Sequence, residues 1–382
     1  MKFTSKLPDV STTIFTKMSR LAHEHGALNL SQGFPGFETD PALHQLVTEA
    51  MQNGYNQYAP MQGIFSLRQS ITQKINSLYG SDYHPEHEVT VTAGATQAIY
   101  SVISAFIGQG DEVIVLKPAY DCYEPAVIVN GGTVVPIQLK APSYAVDWKA
   151  VEKAITSHTK MLIINTPHNP TGSVLTASDM KELTRILKHT NIILLSDEVY
   201  EHIVFDGQSH ESVAKYPDLA ERSFITASFG KTFHNTGWKM GYVVGPKELM
   251  TEFQKVHQFT VFCANHPMQK AFAHYLKTPE NYLELNAFFQ QKRDVFLDAI
   301  QGSRFKGKPA AGTYFQLLDY SEITNERDTA FAERLTKEKG IASIPTSVFN
   351  INEVDDKMLR FCFAKTDDTL LRAAEILNII QE

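Results

Sequence analysis

The chain predicts an α/β protein: a mainly parallel sheet covered on both faces in a large domain, with a smaller α+β domain beside it. Three observations lead there. Short apolar strands alternate with helical patterns between Val89 and Val244. Several of these strands are bare apolar runs, the signature of burial on both faces. And 382 residues exceed the roughly 250 to 300 at which a single core stops growing.

In chain order, Asp40 and Pro41 read as an N-cap and first helical residue, after which Leu43, Leu46, Val47, Ala50 and Met51 recur at helical spacing. Strands are predicted at Val89 to Thr92, Glu112 to Leu116, Thr133 to Leu139, Met161 to Asn165, Ile192 to Ser196, Phe224 to Ser228 and Gly241 to Val244. Further on, "GTYFQLLDY" and "LRFCFAK" read as antiparallel strands. Phe331 and Leu335 lie on a helix stopped by Gly340, and Leu370, Leu371, Ala374, Leu377 and Ile380 mark a final amphipathic helix.

Composition excludes several classes. The 35 basic and 42 acidic residues give a net charge of −7 with no basic block, which disfavours nucleic-acid binding. No apolar run approaches the ~18 residues of a membrane span, and "MKFTSKLPDVSTT" lacks the apolar core of a secretory signal. A soluble, cytoplasmic protein is expected. Cys122, Cys263 and Cys362 are odd in number and form no C-x-x-C pair, so neither a disulfide framework nor a metal site is expected; their expected role is packing.

Chemistry concentrates in three short segments, "NTPHNPTG", "SDEVYE" and "SFGKTFHNTGWKMGY". They supply an amide at Asn169, an acid at Asp197, a phenol at Tyr200 and an amine at Lys231. Together these suit pyridoxal 5′-phosphate: a lysine to carry it covalently and a carboxylate to keep the pyridine nitrogen protonated so that the ring draws electrons. Singly each residue has a plainer reading. Gly-Lys-Thr also occurs in nucleotide-binding loops, but Ile225 stands where such a loop requires its first glycine. Asp197 closes an apolar run, where a carboxylate also caps helices. In open α/β sheets ligands collect beyond the strands' carboxyl ends, and Asn169, Asp197 and Ser228 all fall there. A strand ending at Thr92 followed by Gly94, Ala95 and Thr96 and then a helix presents free amides to an anion, although such junctions are also ordinary packing turns.

The order and spelling of these segments, with "NQYAPMQG", "TAGATQAI", "GKTFHNTGWK" and "IPTSVF", resemble the class I/II, fold-type I aminotransferases. Within them the similarity is to the branch of kynurenine/glutamine transaminase K and the bacterial methionine aminotransferases. The resemblance runs from "SQGFPGFETD" to "LRFCFAK". It implies an N-terminal segment 1–40 packed with the small domain, a large cofactor-binding domain 41–280 and a small C-terminal domain 281–382. Lys231, Asp197 and Tyr200 take the catalytic positions. Gly94, Ala95, Thr96, Ser228 and Lys239 match the phosphate site, Tyr120 the ring stacked on the pyridine, and Asn169 and Tyr200 the partners of its 3′-oxygen. Many aminotransferases carry arginine where Lys239 stands; lysine keeps the charge and loses the planar fork. Tyr58 matches a tyrosine that reaches the neighbouring subunit's cofactor, which implies a homodimer with shared sites.

Gly33, Asn169 and Arg360 match the substrate-binding positions, a guanidinium pairing with the α-carboxylate through two parallel hydrogen bonds. By itself the "LR" of "KMLRFCF" carries almost no information, and a surface arginine on a strand would read the same way. The implied reaction transfers the amino group of methionine, an aromatic amino acid or glutamine to a 2-oxo acid in two half-reactions, with Lys231 as general base and acid. Phe34, Tyr58, Tyr120 and Phe262 are expected to border the side-chain pocket. The nearest alternative is a C–S β-lyase on the same scaffold. A DNA-binding regulator would need a module for which the chain leaves no room, and a purely structural protein would not need Lys231.

Overall fold

Seven strands form one sheet in a computed structural model that describes residues 4–381. Their spatial order is Val89–Thr92, Gly241–Val244, Ser223–Ser228, Ile193–Asp197, Thr159–Asn165, Glu112–Lys117, Thr133–Gln138. All seven predicted strands are present, with ends shifted by two residues or fewer. Gly241–Val244 alone runs antiparallel to its neighbours. The first three residues of the opening segment, and Glu382, lie outside the described residues.

Burial on both faces explains the unalternating strands. Val113, Val115, Met161, Ile163, Ile193 and Leu195 enter one apolar cluster, together with the helix Ala95–Phe106. Ile114, Leu116, Leu162, Ile164 and Leu194 enter the other, much larger one. Successive residues of a strand point to opposite faces, so each must be apolar, and each such burial is worth roughly 1.5–3 kcal/mol.

A second sheet is antiparallel, with Met358–Cys362 between Ile344–Pro345 and Phe315–Asp319. The two predicted C-terminal strands are thus paired with each other. A short parallel pair, Leu28–Asn29 with Ile341–Ala342, ties the N-terminal segment to this end of the chain. Asp40 caps the helix Pro41–Gln52 by accepting from the Ala42 amide at 2.8 Å. The helix bearing Phe331 passes into a wider turn over Leu335–Lys339 and stops at Gly340, whose left-handed backbone suits glycine. The last helix, Asp367–Asn378, buries Leu370, Ala374 and Leu377. Leu371 points outward instead, and Ile380 is buried just beyond the helix end. No helix among the described residues is long and apolar enough to cross a membrane.

Candidate active site

Gly33, Gly94, Ala95, Thr96, Tyr120, Asn169, Asp197, Tyr200, Ser228, Lys231, Lys239 and Arg360 line one cavity of about 250 Å³. It opens where strands Thr159–Asn165, Ile193–Asp197 and Ser223–Ser228 end side by side. Their parallel register sets Asn165 opposite Asp197 and Asp197 opposite Thr226. Polar residues arriving at these ends are held on a rigid apolar base.

One end of the cavity is built for an anion. The helix Ala95–Phe106 begins there with no side chain capping it, so its first amides lack intrahelical partners. Gly94 enters it at φ 85°, a left-handed backbone that only glycine adopts without strain. A Cβ on Gly94 would sit 3.7 Å from the Lys239 ammonium, so that cation stands directly over the helix end. Ser228 borders the same cavity.

In the middle lies Asp197, buried to 3% exposure. It accepts from the Tyr123 hydroxyl at 2.5 Å and from the Val199 amide at 3.3 Å. Burial pushes its carboxyl up to about 6 against the pull of the Tyr123 and Val199 hydrogen bonds and the weak attraction of Lys231. A buried acid so short of positive charge suits a protonated ring nitrogen. Facing it, Lys231 Nζ donates to the Gly33 carbonyl at 2.9 Å. Burial lowers this amine to about 8, with Arg360 and Lys239 adding repulsion, so a neutral base is available near physiological pH.

Arg360 closes the opposite end, almost fully buried with its guanidinium 3.8 Å from the Phe315 ring centroid. Nη1 donates to Asn169 Oδ1 at 2.7 Å and Nη2 to the Ser31 carbonyl at 3.0 Å. Among the described residues Nε is buried with no hydrogen-bond partner. Gly33 has to be small here, because a Cβ would lie 2.9 Å from the Phe315 ring.

Tyr58 is not in this cavity. It is 81% exposed and packs edge-on against Phe262, ring centroids 5.1 Å apart. Phe262 likewise lines no part of the pocket, contrary to expectation, whereas Phe34 and Tyr120 do. Several contributors escaped the sequence reading. Asn165 donates to the Asp197 carbonyl at 2.8 Å and accepts from the Asn169 amide at 2.8 Å, locking two of the predicted segments together. Tyr314 donates to the Gly33 carbonyl at 2.7 Å, and Phe15, Gln32, Ile99, Val199 and Phe315 also line the wall. Among the described residues, no group of three or more His, Cys, Asp or Glu is arranged to hold a metal ion.

An anion cradle, a buried acid, a buried amine and an unpartnered guanidinium donor in one cavity fit pyridoxal phosphate and an amino acid beside it. Comparison with known proteins agrees. Residues 26–377 match the family model described as aminotransferase class I and II. The chain is 46% identical over 375 residues to a methionine aminotransferase of Escherichia coli (strain K12), covering 98% of this chain and 97% of that one. It is 32% identical over 411 residues to a human kynurenine–oxoglutarate transaminase, covering 99% and 90%. A solved Escherichia coli structure described as having a methionine aminotransferase function superposes at a TM-score of 0.97, with 45% identity over 99% of both chains.

Proposed function

The chain belongs to the class I and II aminotransferases, and on that premise we propose that it passes the amino group of methionine, an aromatic amino acid or glutamine to a 2-oxo acid. As an aminotransferase of this family it depends on pyridoxal phosphate. The observation that carries the substrate class is the wall of the cavity. Its cations are Lys231, Lys239 and Arg360, and the remaining surface includes Phe15, Phe34, Ile99, Tyr120, Val199 and Phe315. With Lys239 at the anion end and Arg360 taking the α-carboxylate, no further cation among the described residues of this chain lines the cavity to meet an acidic side chain, while sulfur and aromatic rings find apolar surface.

The residues take these roles in our reading. The amides of Gly94 to Thr96, Ser228 and Lys239 hold the phosphate, Asp197 the ring nitrogen, Asn169 and Tyr200 the 3′-oxygen, and Tyr120 the ring face. Lys231 is the covalent attachment point. When bound, the cofactor supplies an electron sink for the negative charge that develops at the substrate Cα. Arg360 and Asn169 fix the substrate carboxylate so that the Cα–H bond faces Lys231, whose freed amine takes the proton at Nζ. The 2-oxo acid product leaves before the second 2-oxo acid enters, which gives ping-pong kinetics.

The same reading makes the active unit a cytoplasmic homodimer in which Tyr58 serves the partner's site; its exposure, 81%, supports this. It also divides the chain at residues 40 and 280, supported by the separate three-stranded sheet and by the pairing of Leu28–Asn29 with Ile341–Ala342. The deciding experiment measures kcat/KM for methionine, phenylalanine, glutamine and aspartate with one common 2-oxo acid. Aspartate should trail by a few orders of magnitude, because burying its side chain without a cation costs several kcal/mol. Aspartate ranking first would overturn the substrate assignment.

A further inference from the structure

The segment "KPAYDCYEP" delivers two phenols to the site in different ways. Tyr120 lines the cavity itself. Tyr123, first residue of the short helix Tyr123–Val129, does not line it and is 2% exposed, yet its hydroxyl lies 2.5 Å from Asp197 Oδ2. We propose that Tyr123 is a positioning residue for the transamination, acting through Asp197 to orient that carboxylate and to keep the proton on the cofactor's ring nitrogen. The inference rests on the reading of Asp197 as the ring-nitrogen partner.

A buried tyrosine hydroxyl always seeks an acceptor, so the contact alone could be mere satisfaction of the phenol. What sets it apart is the acceptor. Among the described residues Asp197 is the only carboxylate lining the cavity, and Tyr123 is the one side chain that donates to it; its other hydrogen bond is the longer one from Val199 N. The Tyr123 ring packs edge-on to Tyr120 at 6.0 Å, and Asp197 ends a central strand. A phenol donating to a carboxylate stabilises the charged form. It therefore opposes the effect of burial on Asp197 and leaves the shared proton with the ring nitrogen. The phenol itself is held fully protonated by burial and by the negative charge of Asp197, so it acts as a fixed donor.

The test uses holoenzyme loaded with pyridoxal phosphate labelled with nitrogen-15 in the ring. In Tyr123→Phe the ring-nitrogen resonance should move toward its deprotonated position. The pH midpoint for cofactor binding should rise, and kcat should fall roughly ten- to a hundredfold, the worth of one hydrogen bond to a charged group, with KM for the amino acid nearly unchanged. Replacing Tyr123 by 3,5-difluorotyrosine, a stronger donor of nearly the same shape, should keep the resonance protonated and kcat close to wild type, which separates hydrogen bonding from packing. An unmoved resonance and midpoint in Tyr123→Phe would overturn the proposal. Asp197→Ala is the control: if it moves the resonance while Tyr123→Phe does not, only the tyrosine's role fails, whereas no movement in either removes the Asp197 reading and this inference with it.

Discussion

Lys231 Nζ donates to the Gly33 carbonyl at 2.9 Å, across 198 residues of chain. The same oxygen accepts from Tyr314, so the N-terminal segment is pinned beside the amine. Burial is the largest influence on the amine and lowers it, outweighing the attraction of Asp197.

Lys231 should therefore titrate near 8 in the cofactor-free protein, not at the ordinary 10.5 of lysine. The neutral form is the reactive one, so acylation of Lys231, followed by peptide mapping, should rise through about pH 8. Borohydride reduction of the holoenzyme should place the cofactor on Lys231. An adduct on Lys239 would displace the assignment.

Asp197 carries the complementary prediction. Its carboxyl, raised to about 6 by burial, has to be ionised to accept from a protonated ring nitrogen. Cofactor affinity should accordingly strengthen as pH rises through about 6 and weaken below it. Asp197→Ala should slow loss of the Cα proton in single-turnover experiments by orders of magnitude while leaving the thermal midpoint nearly unchanged. A near-normal rate would rule the role out.

How much of this was legible in the amino-acid sequence depends on how local each signal is. Several of the seven strands were readable because burial on both faces leaves runs such as Ile193–Leu195 with no polar residue. Strand direction was not: nothing within Gly241–Val244 reports that its partners run the other way. Lys231, Asp197, Asn169 and Tyr200 announced themselves by spelling and order, and their convergence follows from strand ends lying side by side. Tyr123 was invisible because its meaning is a contact across 74 residues. Phe262 was misassigned for the same reason, since an aromatic residue near a site in sequence need not face it.

Behind the site, Lys74 and Glu201 form a buried ion pair at 2.5 Å, with Tyr79 and Tyr242 also donating to the carboxylate. Burial by itself would raise Glu201, but the charge of Lys74 and the hydrogen bonds from Lys74 and Tyr79 outweigh it and hold the carboxyl far below its ordinary 4.5. Lys74→Met should cost about 3–5 kcal/mol in denaturant unfolding, because the charge of Glu201 is left buried and unpaired. Lys74→Met with Glu201→Gln should recover most of that. A folded pKa below the unfolded value means the pair's contribution is complete above about pH 4.5 and drains away as pH falls below it. A single Lys74→Met variant as stable as wild type would show the pair to be dispensable.

Histidines make stability sensitive to acid earlier than the carboxylates do. Burial holds His168 at about 4, His202 at about 3 and His257 at about 4, against an ordinary 6.5. With folded values depressed, the unfolded chain takes up protons first as pH drops below 6.5. Stability is then lost by up to about 1.4 kcal/mol per pH unit for each histidine. Thermal midpoints recorded from pH 8 to pH 5 should begin to fall near 6.5, and His202→Asn should flatten the slope. Constant midpoints down to pH 5 would contradict the assigned neutral states.

Tyr58 offers the sharpest test of how sites are shared between subunits. In a single chain it stands 81% exposed beside the half-exposed Phe262, an aromatic surface that costs free energy while it faces water. If Tyr58 completes the partner's site, two crippled subunits can rescue each other. In a heterodimer of Tyr58→Phe and Lys231→Ala chains, one of the two sites combines an intact lysine with an intact tyrosine, so mixing the inactive variants should restore up to about half of the wild-type activity per heterodimer, with the other site dead. Tagged subunits purified in tandem would isolate the heterodimer for assay. No restored activity in such heterodimers, with Tyr58→Phe homodimers strongly impaired, would mean that Tyr58 serves its own subunit and that the sites are independent.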